Sequence, residues 1–255
     1  MDFSLEGKIA LVTGASRGMG EAIAITYADH GADLVVTGRD VERLEAVAAE
    51  VRRRGRRVIC APCDLLNPAQ AGLPVERAVA AFGRLDILVN NAGGAGMYVE
   101  GGTAALFDTS LETVEGLFRL NVYSPFVLAQ AAARVMKAQG GGCILNVTSV
   151  SAYSPAPDVH AYAASKAALH AFTVAWSKEL AAYNIRVNEI VPGAVETHNL
   201  SRRLATAEGR AIMASGNPLG RLGQPEDVAA AALYLGSDAA SWVTGAALMV
   251  SGGAR

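Results

Sequence analysis

Several features are scarce in this sequence of 255 residues. It contains three cysteines, carries a net charge of only −2, and has no apolar run near the roughly 20 residues that a membrane-spanning helix requires. A small, odd number of cysteines argues against a disulfide framework. Near-neutral charge offers no electrostatic attraction to nucleic acid or to an anionic membrane. Because segment 1–6 is acidic and lacks the apolar core of a signal peptide, we expect a cytoplasmic protein that binds neither partner.

Two of the cysteines, Cys60 and Cys63, form a C-x-x-C pair, which occurs in zinc sites and in redox-active proteins. No further ligands follow at zinc-binding spacing, and Cys143 stands apart. A redox-active pair normally begins a helix, whereas Cys60 lies in the strand-like run 57–61. We therefore interpret all three cysteines as small apolar residues and predict no metal site.

Short apolar runs rich in β-branched residues alternate with helical patterns along the whole chain. The predicted strands are 9–12, 34–37, 58–61, 87–90, 144–147, 187–191 and 247–250. The predicted helices are 20–29, 41–54, 74–82, 111–138, 161–182 and 225–235. This alternation indicates βαβ units, and continuous apolarity within the strands indicates burial on both faces. The expected fold class is α/β: a single doubly wound Rossmann-type domain over 1–255, with a mostly parallel sheet of about seven strands and helices on both faces.

Local signals mark several element boundaries. Asp40 is expected to cap the helix that follows it, and Gly55 lies just beyond the end of that helix. Pro225, followed by two acidic residues, is typical of a helix N-terminus. Segments 93–102 and 198–223 are expected to be irregular. Both follow the carboxyl ends of predicted strands, where open α/β sheets bind their ligands.

A glycine-rich turn follows the first predicted strand and leads directly into a helix. It reads Thr13-Gly14-Ala15-Ser16-Arg17-Gly18-Met19-Gly20. The glycines allow the backbone to approach a phosphate closely, and the helix N-terminus offers free N–H groups and the positive end of a dipole. An ordinary glycine-rich βα turn is the alternative. In the first βα unit of such a sheet, however, the motif predicts dinucleotide binding.

The residues after the second predicted strand distinguish the two common dinucleotides. NAD-binding proteins place an acidic residue there to bind the ribose hydroxyl, whereas NADP-binding proteins place arginine there to meet the 2′-phosphate. Here Arg39 holds that position, and Arg17 lies in the phosphate-binding turn. Asp40 favours NAD, but we interpret it as the helix cap. We therefore favour NADP(H) as the cofactor, with NAD(H) as the alternative.

Tyr162 and Lys166 lie four residues apart in a predicted helix and therefore share one face. A free phenol, with a pKa of about 10, is a poor base at neutral pH. An adjacent ammonium, together with a positive nicotinamide, is expected to lower that pKa and make Tyr162 a general acid/base. The pair also arises by chance on helix surfaces. Ser149, just after a predicted strand, favours the functional interpretation because its hydroxyl is placed to bind a substrate carbonyl; Thr148 and Ser151 are its competing neighbours.

In these motifs and their order, the sequence resembles the short, single-domain group of the short-chain dehydrogenase/reductase family, including 3-oxoacyl-carrier-protein reductases and related carbonyl reductases. The resemblance covers nearly the whole chain. Its further motifs are Asp64 after the third predicted strand, Asn90-Asn91-Ala92-Gly93 after the fourth, Asn121 in the long central helix, Pro192-Gly193 and the closing segment 245–253. The resemblance implies an NAD(P)(H)-dependent oxidoreductase that transfers a hydride between the nicotinamide and a ketone or secondary alcohol.

The resemblance also implies roles for the matching residues. Tyr162 would donate or accept the proton at the substrate oxygen, Ser149 would hold that oxygen, and Lys166 would bind the nicotinamide ribose. Asn121 would interrupt its helix and hold a water that links Lys166 to solvent. The other cofactor-binding residues that the resemblance implies are Asp64, Leu65, Asn91, Ala92, Gly93, Pro192, Gly193, Val195 and Thr197. For the polar residues, capping or turn formation is the alternative role.

Three segments are expected to shape the substrate site: 93–102, 150–160 and a lid at 198–216. Their side chains suit a medium-sized, partly apolar alcohol or ketone. They are Met97, Tyr98, Tyr153, His160, His198, Leu200, Arg202, Arg203 and Met213. Two positions depart from the family pattern. Ser251 replaces an acidic residue and is expected to lie far from the chemistry, while Glu196 places a carboxylate near the reactive end of the cofactor.

Two other functions are alternatives to a dehydrogenase or reductase. One is a catalytically idle dinucleotide-binding protein that senses redox state, and the intact set of Ser149, Tyr162 and Lys166 argues against it. The other is an epimerase or dehydratase that retains its cofactor. The resemblance also implies a homotetramer or dimer. The apolar stretches 117–135 and 246–250 are candidate interfaces, and burial in the core is the equal alternative for both.

Overall fold

The computed structural model describes residues 2–95, 103–197 and 206–254, and the structural statements below refer to these residues. Seven strands form one parallel sheet in the order β3-β2-β1-β4-β5-β6-β7. The strands are β1 (Ile9–Thr13), β2 (Asp33–Thr37), β3 (Val58–Cys60), β4 (Ile87–Asn90), β5 (Gly142–Val147), β6 (Ile185–Pro192) and β7 (Ala247–Val250). The order reverses between β1 and β4, the point at which doubly wound sheets bind ligands.

Helices cover both faces of the sheet, which confirms the predicted fold class. The α-helices of the described ranges are α1 (Gly18–Asp29), α2 (Val41–Arg53), α3 (Leu73–Phe82), α4 (Leu111–Phe118), α5 (Ser124–Gln139), α6 (His160–Leu180), α7 (Ala207–Ser215) and α8 (Pro225–Gly236). Helices α1, α2 and α8 supply one apolar core, and α3, α5 and α6 supply the other.

Strand β1 shows why the strands are continuously apolar. Ala10 and Val12 belong to the core on one face, whereas Ile9 and Leu11 belong to the core on the other. Successive side chains of a strand point to opposite faces, so a sheet covered on both sides buries every residue. All four of these residues are buried, as the unbroken apolar run predicted.

The predicted capping signals are confirmed. The Asp40 carboxylate accepts a hydrogen bond from the Arg43 backbone N–H at 3.1 Å and so caps α2. Gly55, beyond the end of α2, has a φ of 74°, which glycine adopts without strain. At the start of α8, Asp227 accepts from the Gln224 backbone N–H at 2.7 Å.

Two predicted boundaries are wrong. The segment 198–223, expected to be irregular, contains helix α7, which Thr206 caps by accepting from the Gly209 backbone N–H at 3.0 Å. The helix expected over 111–138 is divided into α4 and α5 by a π-helical turn, Arg119–Tyr123, which confirms the interruption at Asn121 that the family resemblance implied. A π turn inserts one extra residue per turn and therefore rotates the side chains beyond it, which helical periodicity does not reveal.

Candidate functional site

The glycine-rich turn between β1 and α1 has the close packing that its sequence predicts. Gly14 and Gly18 have positive φ angles of 65° and 59°. A Cβ atom on Gly14 would lie 3.0 Å from the Ala92 Cα, and one on Gly20 would collide with the carbonyl oxygen of Gly14. Helix α1 begins without a side-chain cap on its first N–H groups. The turn therefore presents exposed backbone donors at a helix N-terminus, which is a favourable site for phosphate.

Thr13 and Asn91 join the ends of the two central strands. The Thr13 hydroxyl accepts hydrogen bonds from the backbone N–H groups of Asn91 and Ala92, both at 2.9 Å. The Asn91 amide donates to the Thr13 carbonyl oxygen at 2.8 Å. Thr13 thus connects the turn to the residues that follow β4, and it does not line the adjoining cleft. The Asn91 Oδ1 atom is buried and has no hydrogen-bond partner among the described residues.

A cleft opens at the reversal of strand order and brings most of the predicted cofactor residues together. Its lining residues are Gly14, Ser16, Arg17, Gly18, Met19, Gly20, Gly38, Arg39, Asp40, Cys63, Asp64, Leu65, Leu66, Asn91, Ala92, Gly93, Leu120 and Thr197. Gly38, Cys63, Leu66 and Leu120 were not predicted from the sequence. Pro192, Gly193 and Val195 lie outside this lining; Val195 forms a bridge with Gly223 instead. The roles of all these residues stay predictions.

Three arginines surround the end of the cleft beyond β2. Arg39 is exposed and lines the cleft. The Asp40 carboxylate caps α2, and its Oδ2 atom also lies 3.7 Å from Arg17 Nη2 and 3.2 Å from Arg43 Nε. Asp40 is therefore committed to its own helix and to neighbouring guanidinium groups, which leaves the local charge positive.

The π turn places Asn121 in the interior of the protein. Its side-chain nitrogen donates to the carbonyl oxygen of Gly94 and to the hydroxyl of Ser165, both at 3.1 Å. Its Oδ1 atom accepts from the Gly94 backbone N–H at 3.1 Å. The interruption of the helix therefore fixes the chain after β4 against α6, which carries Tyr162 and Lys166.

Lys166 is almost completely buried, and its Nζ atom donates to the carbonyl oxygen of Val147 at 2.8 Å. A Cβ atom on Gly93, at the inner end of the cleft, would lie 2.8 Å from the same Nζ. The Ser149 hydroxyl opposes the pKa increase that burial causes at Tyr162. Thr148 is occupied elsewhere, because its hydroxyl donates to the Ile190 carbonyl oxygen at 3.3 Å. The cleft therefore reaches the Lys166 ammonium through Gly93 at the end of β4, whereas Ser149, Tyr162 and Lys166 are not among the residues that line it.

The expected lowering of the Tyr162 pKa is not produced by the protein's own groups. Burial raises the pKa of Tyr162 above its ordinary value, and the hydrogen bond with Ser149 only partly opposes this effect. Burial also lowers the pKa of Lys166 to about 8, while the carboxylate of Glu189 opposes that change. Both shifts have the same cause: a low-dielectric site disfavours whichever form of the group is charged.

A group of three hydrogen-bonded side chains near Lys166, formed by Glu189, Tyr153 and His170, was not predicted from the sequence. Glu189 of β6 is fully buried, and its Oε1 atom accepts from the Tyr153 hydroxyl and lies 2.8 Å from His170 Nδ1. The Tyr153 hydroxyl also lies 2.9 Å from His170 Nδ1. The signal was visible in the sequence, because a charged residue inside an apolar strand needs polar partners in the fold.

The surroundings of the two departures from the family pattern are as follows. Glu196 accepts a hydrogen bond from Gln224 Nε2 at 3.1 Å and lies 3.7 Å from Arg210 Nε, so it joins α7 to the start of α8. Ser251 packs against Gly193, on which a Cβ atom would lie 2.9 Å from the Ser251 Cα, and neither residue lines the cleft. The predicted substrate residues that fall outside the described ranges are Met97, Tyr98, His198, Leu200, Arg202 and Arg203.

Cys60, Cys63 and Cys143 are free thiols. Burial raises the pKa of all three, that of Cys60 to about 12, so their reactive thiolate form is disfavoured. In the part of the chain that the structure describes, His, Cys, Asp and Glu residues form no group of three or more that could hold a metal ion. In the same part of the chain, no helix is both long enough and apolar enough to span a membrane.

A doubly wound parallel sheet with a glycine-rich first turn and a Tyr–Lys pair beside the cleft defines a dinucleotide-binding oxidoreductase. A family model described as enoyl-(acyl carrier protein) reductase matches residues 14–255. The 7α-hydroxysteroid dehydrogenase of Escherichia coli is 40% identical over 249 residues, covering 98% of this chain and 94% of the relative. L-rhamnose 1-dehydrogenase (NAD(P)+) of a Sphingomonas species is 39% identical over 251 residues, covering 98% and 96%.

The fold agrees with solved structures of such enzymes. A 7α-hydroxysteroid dehydrogenase complexed with NADH and 7-oxo glycochenodeoxycholic acid superposes with a TM-score of 0.92 at 40% identity, covering 99% of this chain and 96% of that one. The protein belongs to the short-chain dehydrogenase/reductase family. It is an NAD(P)(H)-dependent oxidoreductase acting on CH–OH or C=O groups of small molecules. These relatives favour that function over a redox sensor or an epimerase.

Proposed function

We propose that the protein interconverts a ketone and a secondary alcohol with NADP(H), and that Tyr162 is its general acid/base. The observation that carries this proposal is the meeting of three groups at one place. The Ser149 hydroxyl acts on the Tyr162 phenol and lowers its pKa, the Lys166 ammonium is buried one helical turn away, and Gly93 brings the cofactor cleft against that ammonium.

The residues around the cleft fit a dinucleotide. Gly14 and Gly20 leave little room for a Cβ atom, and Gly14 and Gly18 have positive φ angles, so the turn suits close approach of the backbone to a phosphate. The unpartnered Asn91 Oδ1 is a buried acceptor at the same edge. Asp64 and Leu65 line the outer part of the cleft and would flank the adenine. When bound, the nicotinamide supplies or accepts the hydride.

The chain's own side chains handle the proton and the substrate oxygen. In the reducing direction, Tyr162 donates its phenolic proton to the developing alkoxide, and Ser149 holds that oxygen by a hydrogen bond. Burial raises the pKa of Tyr162, so the phenol is held in the protonated form that such a donation requires. The Lys166 ammonium then stabilises the resulting phenolate, while Asn121 and Val147 hold the surrounding chain in place.

The preference for NADP(H) is supported by the charges beyond β2. Arg39 lines the cleft there, and Arg17 lies in the phosphate-binding turn. The carboxylate of Asp40 is held by its helix cap and by Arg17 and Arg43, so it is poorly placed to accept hydrogen bonds from ribose hydroxyls. Guanidinium groups recognise a 2′-phosphate through charge-assisted hydrogen bonds.

The test is a set of carbonyl and alcohol substrates assayed with NADP(H) and NAD(H) in parallel. The set includes oxosteroids, sugars and 3-oxoacyl thioesters, because the family contains enzymes for each chemistry. We expect NADPH consumption with at least one partly apolar ketone and no reaction of the Tyr162→Phe variant. A wild-type protein that bound NADPH but reacted with none of these classes would contradict the proposal.

We also propose that the protein is a homo-oligomer, with the α5–α6 face as an interface. Phe126 of α5 contacts Phe172 and Trp176 of α6, with ring centroids 5.7 and 6.1 Å apart, and Phe126 is exposed. A dimer or tetramer would bury these rings. Light scattering of wild type and of Phe126→Ser tests this, since the particle mass of the variant should be lower.

We also propose that the protein is cytoplasmic, a location that its free cysteines suit.

A further inference from the structure

Glu189 is fully buried in β6, where an ionised side chain is costly unless the protein stabilises it. Its Oε1 atom receives the Tyr153 hydroxyl and lies 2.8 Å from His170 Nδ1. Its Oε2 atom is buried and has no hydrogen-bond partner among the described residues. Tyr153 and His170 are both partly exposed, and their rings pack with centroids 5.1 Å apart. These two side chains therefore lie between solvent and the Glu189 carboxylate.

The position of this group relates it to the proposed proton chemistry. His170 follows Lys166 by four residues on α6 and therefore lies on the same helical face. Glu189 pairs in register with Asn146 of β5, next to Val147, whose carbonyl oxygen holds the Lys166 ammonium. Tyr153 lies on the short segment that begins with Ser149. His170, which contacts Glu189, thus lies one helical turn from Lys166, and the backbone of Glu189 lies beside the strand end that holds the Lys166 ammonium.

We propose that Glu189 is a positioning residue that keeps Lys166 protonated, and that Tyr153 and His170 hold the Glu189 side chain in place. This inference rests on the proposed function, in which the Lys166 ammonium stabilises the Tyr162 phenolate. Glu189 acts on the reaction only through Lys166.

The electrostatics of the site support this role. Burial lowers the pKa of Lys166 to about 8, so without a nearby anion the amine would lose its proton at a still lower pH. Glu189 opposes this loss because an opposite charge in a low-dielectric interior favours the ammonium. The Tyr153 hydroxyl donates to Glu189 Oε1, and His170 Nδ1 lies 2.8 Å from the same atom, so these two side chains fix the position of Glu189. The titratable groups that face the Lys166–Glu189 pair are Tyr162 and His170 from α6 and Tyr153 from the segment after β5.

The direct test is the titration of the Lys166 amine, followed by 15N NMR of protein labelled at lysine. The probe is the Glu189→Gln variant, which keeps the shape of the side chain and removes its charge. We expect the titration midpoint of Lys166 to fall by roughly one pH unit. The matched control is Glu179→Gln, which removes a charge from an exposed position of α6 and should leave the midpoint unchanged. An unchanged midpoint in Glu189→Gln would overturn the proposal.

A second variant covers the case in which Glu189→Gln does not fold. Tyr153→Phe keeps the exposed ring and removes the hydrogen bond to Glu189, so we expect a smaller fall of the same midpoint. If neither variant shifted it, Glu189 would have only a structural role, which would lower Tm without changing the Lys166 titration.

An activity measurement separates this inference from the proposed function. kcat is measured as a function of pH for wild type and for Glu189→Gln, with a ketone that wild type reduces. The loss of kcat at alkaline pH should occur at lower pH in Glu189→Gln, by the same shift as the NMR midpoint. Reduction by wild type together with an unmoved pH profile would contradict the role of Glu189 and leave the proposed function intact. A shifted amine titration in a protein that reduces no carbonyl would contradict the proposed function instead.

Discussion

The Nζ atom of Lys166 donates a hydrogen bond to the carbonyl oxygen of Val147 at 2.8 Å. This contact anchors a buried ammonium on α6 to the last residue of β5, two residues before Ser149. The strand end and the helix therefore carry the two halves of the candidate site, and one backbone carbonyl holds them in register. A carbonyl cannot neutralise the charge, which is why the electrostatic surroundings of Lys166 govern its protonation.

Replacement of Tyr162 by phenylalanine should abolish the proposed proton transfer. The ring and its packing remain, but the substrate oxygen has no proton donor, so kcat should fall by about 10²–10⁴. Tyr183→Phe, which removes an exposed phenol just after α6, is the matched control and should keep wild-type activity. Steady-state kinetics with NADPH measure both. Retention of most activity by Tyr162→Phe would exclude it as the general acid.

The buried ammonium of Lys166 should impose a pH dependence on stability. The folded-state pKa of about 8 lies below the value of about 10.4 for an exposed lysine, so the unfolded chain binds more protons between these values. This group therefore destabilises the fold at low pH, and stability recovers as pH rises from about 8 to 10.4. The total gain is about 1–3 kcal/mol.

The Lys166→Met variant isolates this contribution, because all other titrating groups are common to both proteins. The free energy of unfolding is measured in urea at several pH values, and the variant curve is subtracted from the wild-type curve. The difference should rise between pH 8 and 10, in favour of wild type. A difference that stayed flat would show that the folded-state pKa of Lys166 is not lowered.

Replacement of Arg39 by aspartate should weaken the preference for NADP(H). The change puts a negative charge where a 2′-phosphate would bind, so we expect KM for NADPH to rise by about 10- to 100-fold while KM for NADH changes little. Arg53→Asp makes the same charge change at an exposed position near the end of α2 and serves as the control. If Arg39→Asp left the ratio of the two KM values unchanged, the coenzyme proposal would be wrong.

A side chain at position 20 should prevent the phosphate-binding turn from packing closely on itself and on Asn91. The Cβ atom of Gly20→Ala would collide with the carbonyl oxygen of Gly14 and with the Asn91 amide, both of which are held in place. We expect a loss of about 1–3 kcal/mol in the free energy of unfolding, and weaker NADPH binding measured by calorimetry. Gly72→Ala is the control, because its Cβ atom would meet only the Glu76 carboxylate, at 4.0 Å.

Local sequence patterns were sufficient for much of the fold. Strands buried on both faces must be continuously apolar, so β1 and β4 could be located directly, as could the capping of α2 by Asp40. The glycine-rich turn predicted its own geometry, since a short run of residues with restricted φ and ψ has few alternatives. Helix α7 was missed because it is short and its one local signal is the capping residue Thr206.

The candidate site was only partly accessible from the sequence. Tyr162 and Lys166 share a helix, so their relation follows from helical periodicity, and Ser149 follows a strand whose end could be predicted. The direction in which the Tyr162 pKa shifts could not be predicted in the same way. It depends on how much water the surrounding segments exclude, and these segments come from distant parts of the chain.

The phosphate-binding turn, the Tyr–Lys pair and most of the strands and helices follow from local sequence, because each depends on neighbours within a few residues. The grouping of Glu189, His170 and Tyr153 near Lys166 depends instead on how distant segments fold together. These side chains belong to β6, α6 and the segment after β5, and they meet because those three elements pack against one another. A buried charge requires partners, but the fold determines which residues supply them.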